Sequence, residues 1–248
     1  QSRLPGNCSV IELALVNRLL TASVEFIGRS RSGMLLCPEI IKQHKLLQLF
    51  PDASYMSKYS MSAGLPHFSS DHMRVWGRDV FIALPGLLIA TGRLFEARAH
   101  ILAFASCAAN GCIPNLLDAC RRPRFNSRDA SWWFIRAVRL YCQAIDNPGQ
   151  FLARTKVPLR FPRIQLCDSI QKSCFQRPSP VIWLESFENG AYSQTMTLID
   201  IIQEIVAWHA YGIHFCEWRA GPDLDEHMKD EGFSVDIMLD PDTGLVSG

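Results

Sequence analysis

The sequence lacks an apolar run long enough to cross a bilayer and lacks an excess of charge of either sign. A membrane-spanning helix needs about 20 apolar residues, whereas the longest apolar run, from Val80 to Ala90, is short and contains Pro85 and Gly86. The 25 Lys and Arg residues nearly balance the 24 Asp and Glu residues and leave a net charge of +1. Nucleic-acid binders and proteins that adhere to anionic membranes use a strong electrostatic field, so we expect neither nucleic acid nor membrane as a partner.

The motifs that hold metals, phosphates or dinucleotides are also missing. No two cysteines form a C-x-x-C pair, and the spacing of the candidate ligands His100, Cys107, Cys112 and Cys120 is irregular for zinc. No G-x-S-x-G sequence is present that would expose a nucleophilic serine on a tight turn. We therefore expect no metal and no cofactor.

The nine cysteines lack the dense spacing of a disulfide-bonded secreted domain. Their odd number and apolar neighbours predict reduced thiols and a cytoplasmic location. The sequence begins with Gln1 and ends in the turn-rich stretch "LDPDTGLVSG". These ends lead us to expect a fragment of a longer protein.

Apolar residues recur at helical spacing in most of the sequence, which predicts a mainly α fold. Strand patterns are sparse, and residues 147–190 contain five prolines and little periodicity, which predicts an irregular segment. We expect a bend before Pro85, because an interior proline costs about 3 kcal/mol or kinks a helix. The predicted helices are Val10–Leu20, Ile40–Phe50, Asp79–Gly92, Leu94–Ala108, Asp129–Ala144 and Met196–Tyr211.

Two Arg-Asp pairs stand immediately before apolar segments, in "RVWGRDVFIAL" and in "FNSRDASWWFI". Asp79 and Asp129 are separated by 129 − 79 = 50 positions, close to the ~40–47 residues of a helix-pair repeat. We therefore predict that both aspartates occupy equivalent N-cap positions of inner helices in a toroid of helical hairpins. Both would then face one common opening.

Such an arrangement suits the recognition of a sugar. A carboxylate at a helix N-terminus is stabilised in its charged form, and an adjacent guanidinium offers a planar set of donors. Together they match neighbouring hydroxyl groups, while a tryptophan can cover the apolar face of a pyranose. Trp76, Trp132 and Trp133 are available, although consecutive helical residues point about 100° apart, so at most one of the last two should face the pocket.

A structural interpretation stays open beside the functional one. Aspartate is a common helix cap, and tryptophan at helical spacing is usually a core residue. On this interpretation the chain is a non-catalytic helical-repeat module that binds protein, and the Arg-Asp pairs are salt-bridged caps. A nucleic-acid site at Arg121, Arg122, Arg124 and Arg128 is a third alternative, disfavoured by the neutral charge balance.

Several long motifs in order resemble the carboxy-terminal glucosidase region of eukaryotic glycogen debranching enzymes. The motifs are "WGRDVFIALPGLLIATGR", "IPNLLD", "RFNSRDASWWF" and "MKDEGF". The resemblance is specific for Ala63–Tyr141 and Ile199–Gly248 and loose before Met61. It implies a lead-in segment at 1–60 and, at 61–248, the amino-terminal part of an (α/α)6 barrel interrupted by the irregular segment.

The resemblance also implies an activity, namely hydrolysis with inversion of α-1,6-linked glucose at the branch points of glycogen or limit dextrin. The implied parent protein carries an additional glucanotransferase region. Two loops are implied to contact the sugar. Their substrate-binding residues would be Trp76, Gly77, Arg78 and Asp79 in the first loop, and Asn126, Arg128, Asp129 and Trp133 in the second.

An inverting glycosidase needs an acid and a base about 6.5–9.5 Å apart. The resemblance implies that the general acid belongs to a Trp-Met-Asp motif located after Gly248, and that the base follows much later. Neither Asp79 nor Asp129 would then be catalytic. We therefore predict that this chain has no catalytic residue, binds glucan weakly at best and hydrolyses nothing alone.

Overall fold

The computed structural model describes residues 10–29, 33–62, 72–163, 190–217 and 232–248. The mainly α fold is confirmed. The α-helices are α1 (Val10–Glu25), α2 (Pro38–Gln43), α3 (Leu46–Leu49), α4 (Ala53–Met56), α5 (Gly77–Leu84), α6 (Leu94–Ser106), α7 (Ala130–Ala144), α8 (Pro148–Arg154) and α9 (Leu198–Tyr211). Among these residues, no helix is both long enough and apolar enough to cross a membrane.

The strands are short and form three small antiparallel sheets. Strand β1 (Ile27–Gly28) pairs with β2 (Ser60–Met61), and β3 (Lys156–Pro158) pairs with β4 (Thr195–Thr197). The third sheet has the order β5 (Ile213–Glu217), β6 (Phe233–Leu239) and β7 (Val246–Ser247).

The predicted helix Ile40–Phe50 is wrong, because this stretch forms two short helices, α2 and α3, separated at the left-handed Lys45. The longer apolar helices lie close to their predicted positions, but two details at α5 are wrong. The residue at the N-cap of α5 is Trp76, and Asp79 is the third residue of the helix. Pro85 does not lie inside an α-helix, because α5 ends at Leu84 and a π-helical segment, Pro85–Ile89, continues the chain. The wider turn leaves room for a proline that lacks an N–H donor.

Helices α5, α6 and α7 pack around three aromatic rings. The Phe81 ring lies edge-on to both Phe104 and Phe134, with ring centroids 4.9 and 5.1 Å apart. Edge-to-face pairs of this kind favour a fixed mutual orientation of their helices. The contact between Phe81 and Phe134 places α5 beside α7, which brings the two Arg-Asp sequences to the same end of the helix pair.

The segment before α5 is fixed to the sheet of β1 and β2 by a buried arginine. Arg74 donates from Nε to Ser60 Oγ at 2.9 Å, and from Nη2 to the carbonyl oxygens of Ser60 and Phe26. Buried His100 of α6 accepts from the Met61 N–H at 2.8 Å. The first Arg-Asp sequence is therefore attached to β1 and β2 on one side and to the helical core on the other.

The carboxy-terminal sheet builds a second, smaller core that the sequence analysis did not predict. Val235 and Ile237 of β6 alternate with exposed residues and pack on Ile213 and Cys112. Such alternation is typical of a strand with one buried face. It was visible in "FSVDIML", but the helical periodicity elsewhere dominated the prediction.

The segment predicted to be irregular, 147–190, begins with regular structure. It contains α8 and β3, and Pro148 lies in the first turn of α8, where its missing N–H needs no partner. The prediction is therefore wrong for this part of the segment. Residues 164–189 lie outside the described residues.

Candidate functional site

The two Arg-Asp sequences meet in a single ion pair. Nε of Arg78, in the first turn of α5, lies 3.0 Å from both carboxylate oxygens of Asp129 before α7. The side chains are 45% and 43% exposed. The carboxylate of the second sequence is thus joined to the arginine of the first at the solvent-accessible start of both helices.

Asp129 occupies the predicted N-cap position, but its side chain does not cap the helix. Ser127 Oγ accepts from the Ala130 N–H instead, at 3.2 Å. The Asp129 carboxylate accepts from Ser127 Oγ–H at 3.0 Å and from the Trp133 indole N–H at 2.9 Å, in addition to Arg78. The serine frees the carboxylate from capping and so lets it point toward Arg78 and Trp133.

The environment of Asp129 stabilises its ionised form. Partial burial alone would raise the pKa of the carboxyl group, but the hydrogen bonds from Trp133, Ser127 and Arg78, with the positive charge of Arg78, outweigh it. The pKa of Asp129 is therefore lowered from its ordinary value. Donors that bind the charged form have this effect on an acid.

Asp79 lies differently from Asp129. Its side chain is exposed, and it makes no hydrogen bond or ion pair with the residues that the structure describes. It does stand in the first turn of α5, where the free N–H groups and the helix dipole favour a negative charge. The predicted equivalence of the two aspartates is wrong, because one is a helix residue and the other precedes its helix.

Trp76 and Gly77 have structural contacts that the sequence did not reveal. The half-buried Trp76 donates its indole N–H to the Met73 carbonyl at 2.5 Å. A Cβ on buried Gly77 would overlap the Pro114 carbonyl oxygen and lie 2.8 Å from Cε1 of Phe104. Gly77 is therefore required for the close approach of α5 to the segment at Pro114.

Asn115 was missed as a site residue and connects the two loops. Its Oδ1 accepts from the Arg78 N–H at 3.4 Å, and its Nδ2 donates to the Asn126 carbonyl and Oδ1 at 3.4 and 3.3 Å. The predicted residue Asn126 is thereby brought to the first loop. The "IPNLLD" motif contained the signal, since a polar amide there follows a proline within an apolar stretch.

Arg128 lies away from the ion pair and contacts the third sheet. Its Nη2 donates to the Ser234 carbonyl at 3.0 Å, and its guanidinium lies 5.3 Å from the Phe233 ring centroid. Guanidinium groups bind aromatic faces in this geometry. Arg128 therefore ties the second loop to β6.

The two tryptophans of α7 have different surroundings, as the helical geometry predicted. Trp133 points to Asp129, whereas the Trp132 ring lies edge-on to buried His209, with centroids 4.8 Å apart. Trp132 is nevertheless 37% exposed. Only Trp133 of the two contacts the ion pair.

A buried ion pair holds the start of the second loop. Nε of Arg124 lies 3.3 Å from Glu217 Oε1, and the two side chains are only 8% and 7% exposed. The Phe125 N–H donates to both oxygens of Glu217 at 3.1 Å. Glu217 could not be identified from the sequence, because no local pattern marks a partner 93 positions from Arg124 (217 − 124).

The described ranges contain no group of three or more His, Cys, Asp or Glu side chains arranged to hold a metal ion. The geometry is instead that of a polar surface built from a carboxylate, a guanidinium, two amides and an indole. Surfaces of this composition can donate to and accept from the same hydroxyl group.

Comparison with known proteins shows the family of the chain. The family model described as amylo-alpha-1,6-glucosidase matches residues 21–248. The chain belongs to the amylo-alpha-1,6-glucosidase family. It is 41% identical over 245 residues to the glycogen debranching enzyme of Saccharomyces cerevisiae. The alignment covers 99% of this chain and 14% of the yeast protein, so the chain spans about a seventh of that curated relative. The predicted resemblance is confirmed.

Proposed function

We propose that this chain is part of a glycogen-debranching amylo-α-1,6-glucosidase, and that the start of α5 and α7 binds one glucose unit of glycogen or limit dextrin. The observation that carries this proposal is the exposed pair formed by Arg78 and Asp129. It joins two sequences that are 50 positions apart and leaves both polar groups open to solvent. The family of the chain supports the same substrate class.

The chemistry of the site fits a sugar. The ionised Asp129 carboxylate can accept from a hydroxyl group, and the Arg78 guanidinium can donate to the same or the neighbouring oxygen. Asp79 adds an exposed acceptor in the first turn of α5. Sugar binding also uses an apolar face beside the polar groups. The Trp133 ring, whose indole N–H binds Asp129, and the Trp76 ring, two positions before Arg78, are candidates for this face.

We further propose that residues 61–248 form part of an (α/α)6 barrel. Helices α5 and α7 begin at the same end and pack together, while α6 lies between them in sequence. Alternation of this kind supports an arrangement in which successive hairpins place every second helix on the inside. Residues 1–60 would be a lead-in segment, and the protein would work in the cytoplasm on stored glucan.

The chain alone is proposed to lack hydrolytic activity. A general acid must be protonated at the working pH, and a raised pKa serves that role. The lowered pKa of Asp129 is the opposite condition, so this group does not suit the role of the general acid. We propose from the family resemblance that the base also lies elsewhere in the longer protein, and that Asp79 and Asp129 bind substrate.

Titration of the chain with isomaltose, followed by NMR, tests the binding proposal. Asp129→Ala should weaken isomaltose binding at least about tenfold, since a charged hydrogen-bonding partner of a ligand is lost. The matched control is Asp146→Ala, which removes an exposed carboxylate just after the other end of α7. Equal affinity of the two variants, or glucose release by the chain alone, would contradict the proposal.

A second candidate function is a surface that binds another protein. It is favoured by α1, where Val10 and Ile11 are 84% and 81% exposed and most other apolar side chains also face solvent. On this hypothesis the pair formed by Arg78 and Asp129 only fastens α5 to α7. Asp129→Ala would then lower the free energy of unfolding by up to about 1 kcal/mol and leave the isomaltose affinity unchanged.

A further inference from the structure

Glu217 ends strand β5 and is distant in sequence from both Arg-Asp motifs. Its carboxylate is buried and paired with the equally buried Arg124. Buried ion pairs are poor sources of stability, because desolvation costs several kcal/mol per ion and an apolar pair of similar volume is often as stable. Net stability is therefore a weak explanation for a carboxylate at this position.

The carboxylate also binds the main chain of the second loop. Both of its oxygens accept from the Phe125 N–H at 3.1 Å. Phe125 directly precedes Asn126, and Asp129 follows only four positions after Phe125. An apolar side chain in place of Glu217 could pack in the same space but could not fix the direction of this N–H.

The opposite side of the loop is held by the segment after Pro114. The Asn115 N–H donates to the Arg124 carbonyl at 2.6 Å, and the Arg124 N–H donates to the Leu116 carbonyl at 2.8 Å. The start of the second loop is thus held between this segment and Glu217. Because Asn115 also binds Asn126 and the Arg78 N–H, a displacement of the loop start would change the contacts of both loops.

We propose that Glu217 is a positioning residue for glucose binding, which sets the location of Asn126 and Asp129 through the Phe125 N–H. This inference rests on the proposed function. Glu217 does not touch the sugar in this proposal. It acts by holding the backbone from which the binding groups project, in the way that supporting hydrogen bonds preorganise a site.

The test compares two double variants that both remove the buried arginine charge. Arg124→Met with Glu217→Gln keeps an amide oxygen that can accept from the Phe125 N–H, whereas Arg124→Met with Glu217→Met removes the acceptor. Among the residues that the structure describes, neither variant leaves an unpaired buried charge, so both are designed to fold. NMR titration of the 248-residue chain with isomaltose gives the affinity, and the Trp133 indole N–H resonance reports on the bond to Asp129.

The Gln variant should bind isomaltose within about threefold of the unmodified chain, and the Met variant at least about tenfold more weakly. The Trp133 indole resonance of the free protein should shift in the Met variant. Equal affinities and unshifted indole resonances in the two folded variants would overturn the inference, while binding by the unmodified chain would leave the proposed function intact.

If the unmodified chain binds no isomaltose, the proposed function fails, and the indole resonance still decides whether Glu217 positions Asp129. If the Met variant does not fold, Glu217→Asp replaces it. This change keeps the charge but shortens the side chain by one methylene group, so it should displace the loop, shift the indole resonance and weaken binding. Unchanged affinity and resonance in Glu217→Asp would overturn the inference.

Discussion

The two Arg-Asp sequences contain the same residue pair, but different contacts hold them in place. The first is fixed to β1 and β2 by the bonds of Arg74 to Ser60 and Phe26, and its Gly77 lies in close contact with Pro114, whose segment also contacts the second loop. The second is fixed from the carboxy-terminal sheet, through Glu217 at its start and through Arg128 near its end.

This difference shows that the repeated sequence is not a repeated structure. The arginine of the second sequence, Arg128, contacts β6, and Asp79 makes no polar contact with the described residues. The pair that forms across the helices takes Arg78 from the first sequence and Asp129 from the second. One composite site therefore replaces the two equivalent ones that the repeat predicted.

The largest effect is expected in the first sequence, from Gly77→Val. A side chain there would overlap the backbone at Pro114, which cannot move as the end of a flexible side chain can. We expect the free energy of unfolding to fall by about 3 kcal/mol or more, as measured by urea denaturation.

The control for this change is Gly86→Ala in the π-helical segment. A Cβ at Gly86 meets no atom within 4 Å, so the substitution should be neutral or stabilise by up to about 1 kcal/mol. If Gly77→Val unfolds at the same urea concentration as the unmodified chain, Gly77 does not need its close packing against Pro114. The packing that distinguishes the first Arg-Asp sequence from the second is then disproved.

An effect of intermediate size on the free energy of unfolding is expected when the pH is lowered, again at the attachment of the first Arg-Asp sequence. Burial lowers the pKa of His100 to about 4, because a charged ring would lose its hydration. The neutral ring accepts from the Met61 N–H through Nε2. The unfolded chain has a pKa near 6.5 at this position and binds the proton first. The stabilisation from neutral His100 is complete above about pH 6.5 and is lost as pH falls toward 4, by about 3 kcal/mol in total.

Urea denaturation at several pH values measures this loss, with His100→Gln as the matched variant. Its side chain does not titrate but retains an oxygen that can accept from the Met61 N–H, so its stability should depend less on pH. At about pH 5, where ordinary carboxylates stay ionised, the protection of backbone amides against exchange, relative to the intrinsic rate at the same pH, should fall more at Met61 than at Phe125. An equal fall at the two amides would contradict the different attachment of the two Arg-Asp sequences.

The smallest effect is expected in the second sequence, from Arg128→Ala. The variant loses the bond to the Ser234 carbonyl and the contact with the Phe233 ring, both near the surface. We expect a loss of about 0.5–1 kcal/mol in the free energy of unfolding. Arg139→Ala, an exposed position on α7, is the control and should change stability by less than about 0.5 kcal/mol. Equal losses would show that β6 does not anchor the loop.

The helices were predictable because their apolar positions and stop signals are local. Helix α6 ends before Gly111 and Pro114 as predicted, and α9 begins with a capping box in which the side chains of Thr197 and Asp200 bind each other's backbone N–H groups. The cap at Asp79 was wrong because the N-cap preference for aspartate is weak beside the tertiary contact of Gly77. The third sheet was missed because the alternation of buried and exposed residues in β6 is short beside the helical periodicity of the rest of the chain.

Composition, helical periodicity and the motifs around Arg78 and Asp129 by themselves determined the mainly α fold, the family and most members of the proposed binding surface. These properties depend on side chains close to one another along the chain. Only the tertiary structure decided that Arg78 binds Asp129, that Asn115 links the loops and that Glu217 lies beneath Phe125. Such contacts join residues separated by dozens of positions, and their geometry is fixed by the packing of α5 on α7 and of β5 on the second loop, which no local pattern encodes.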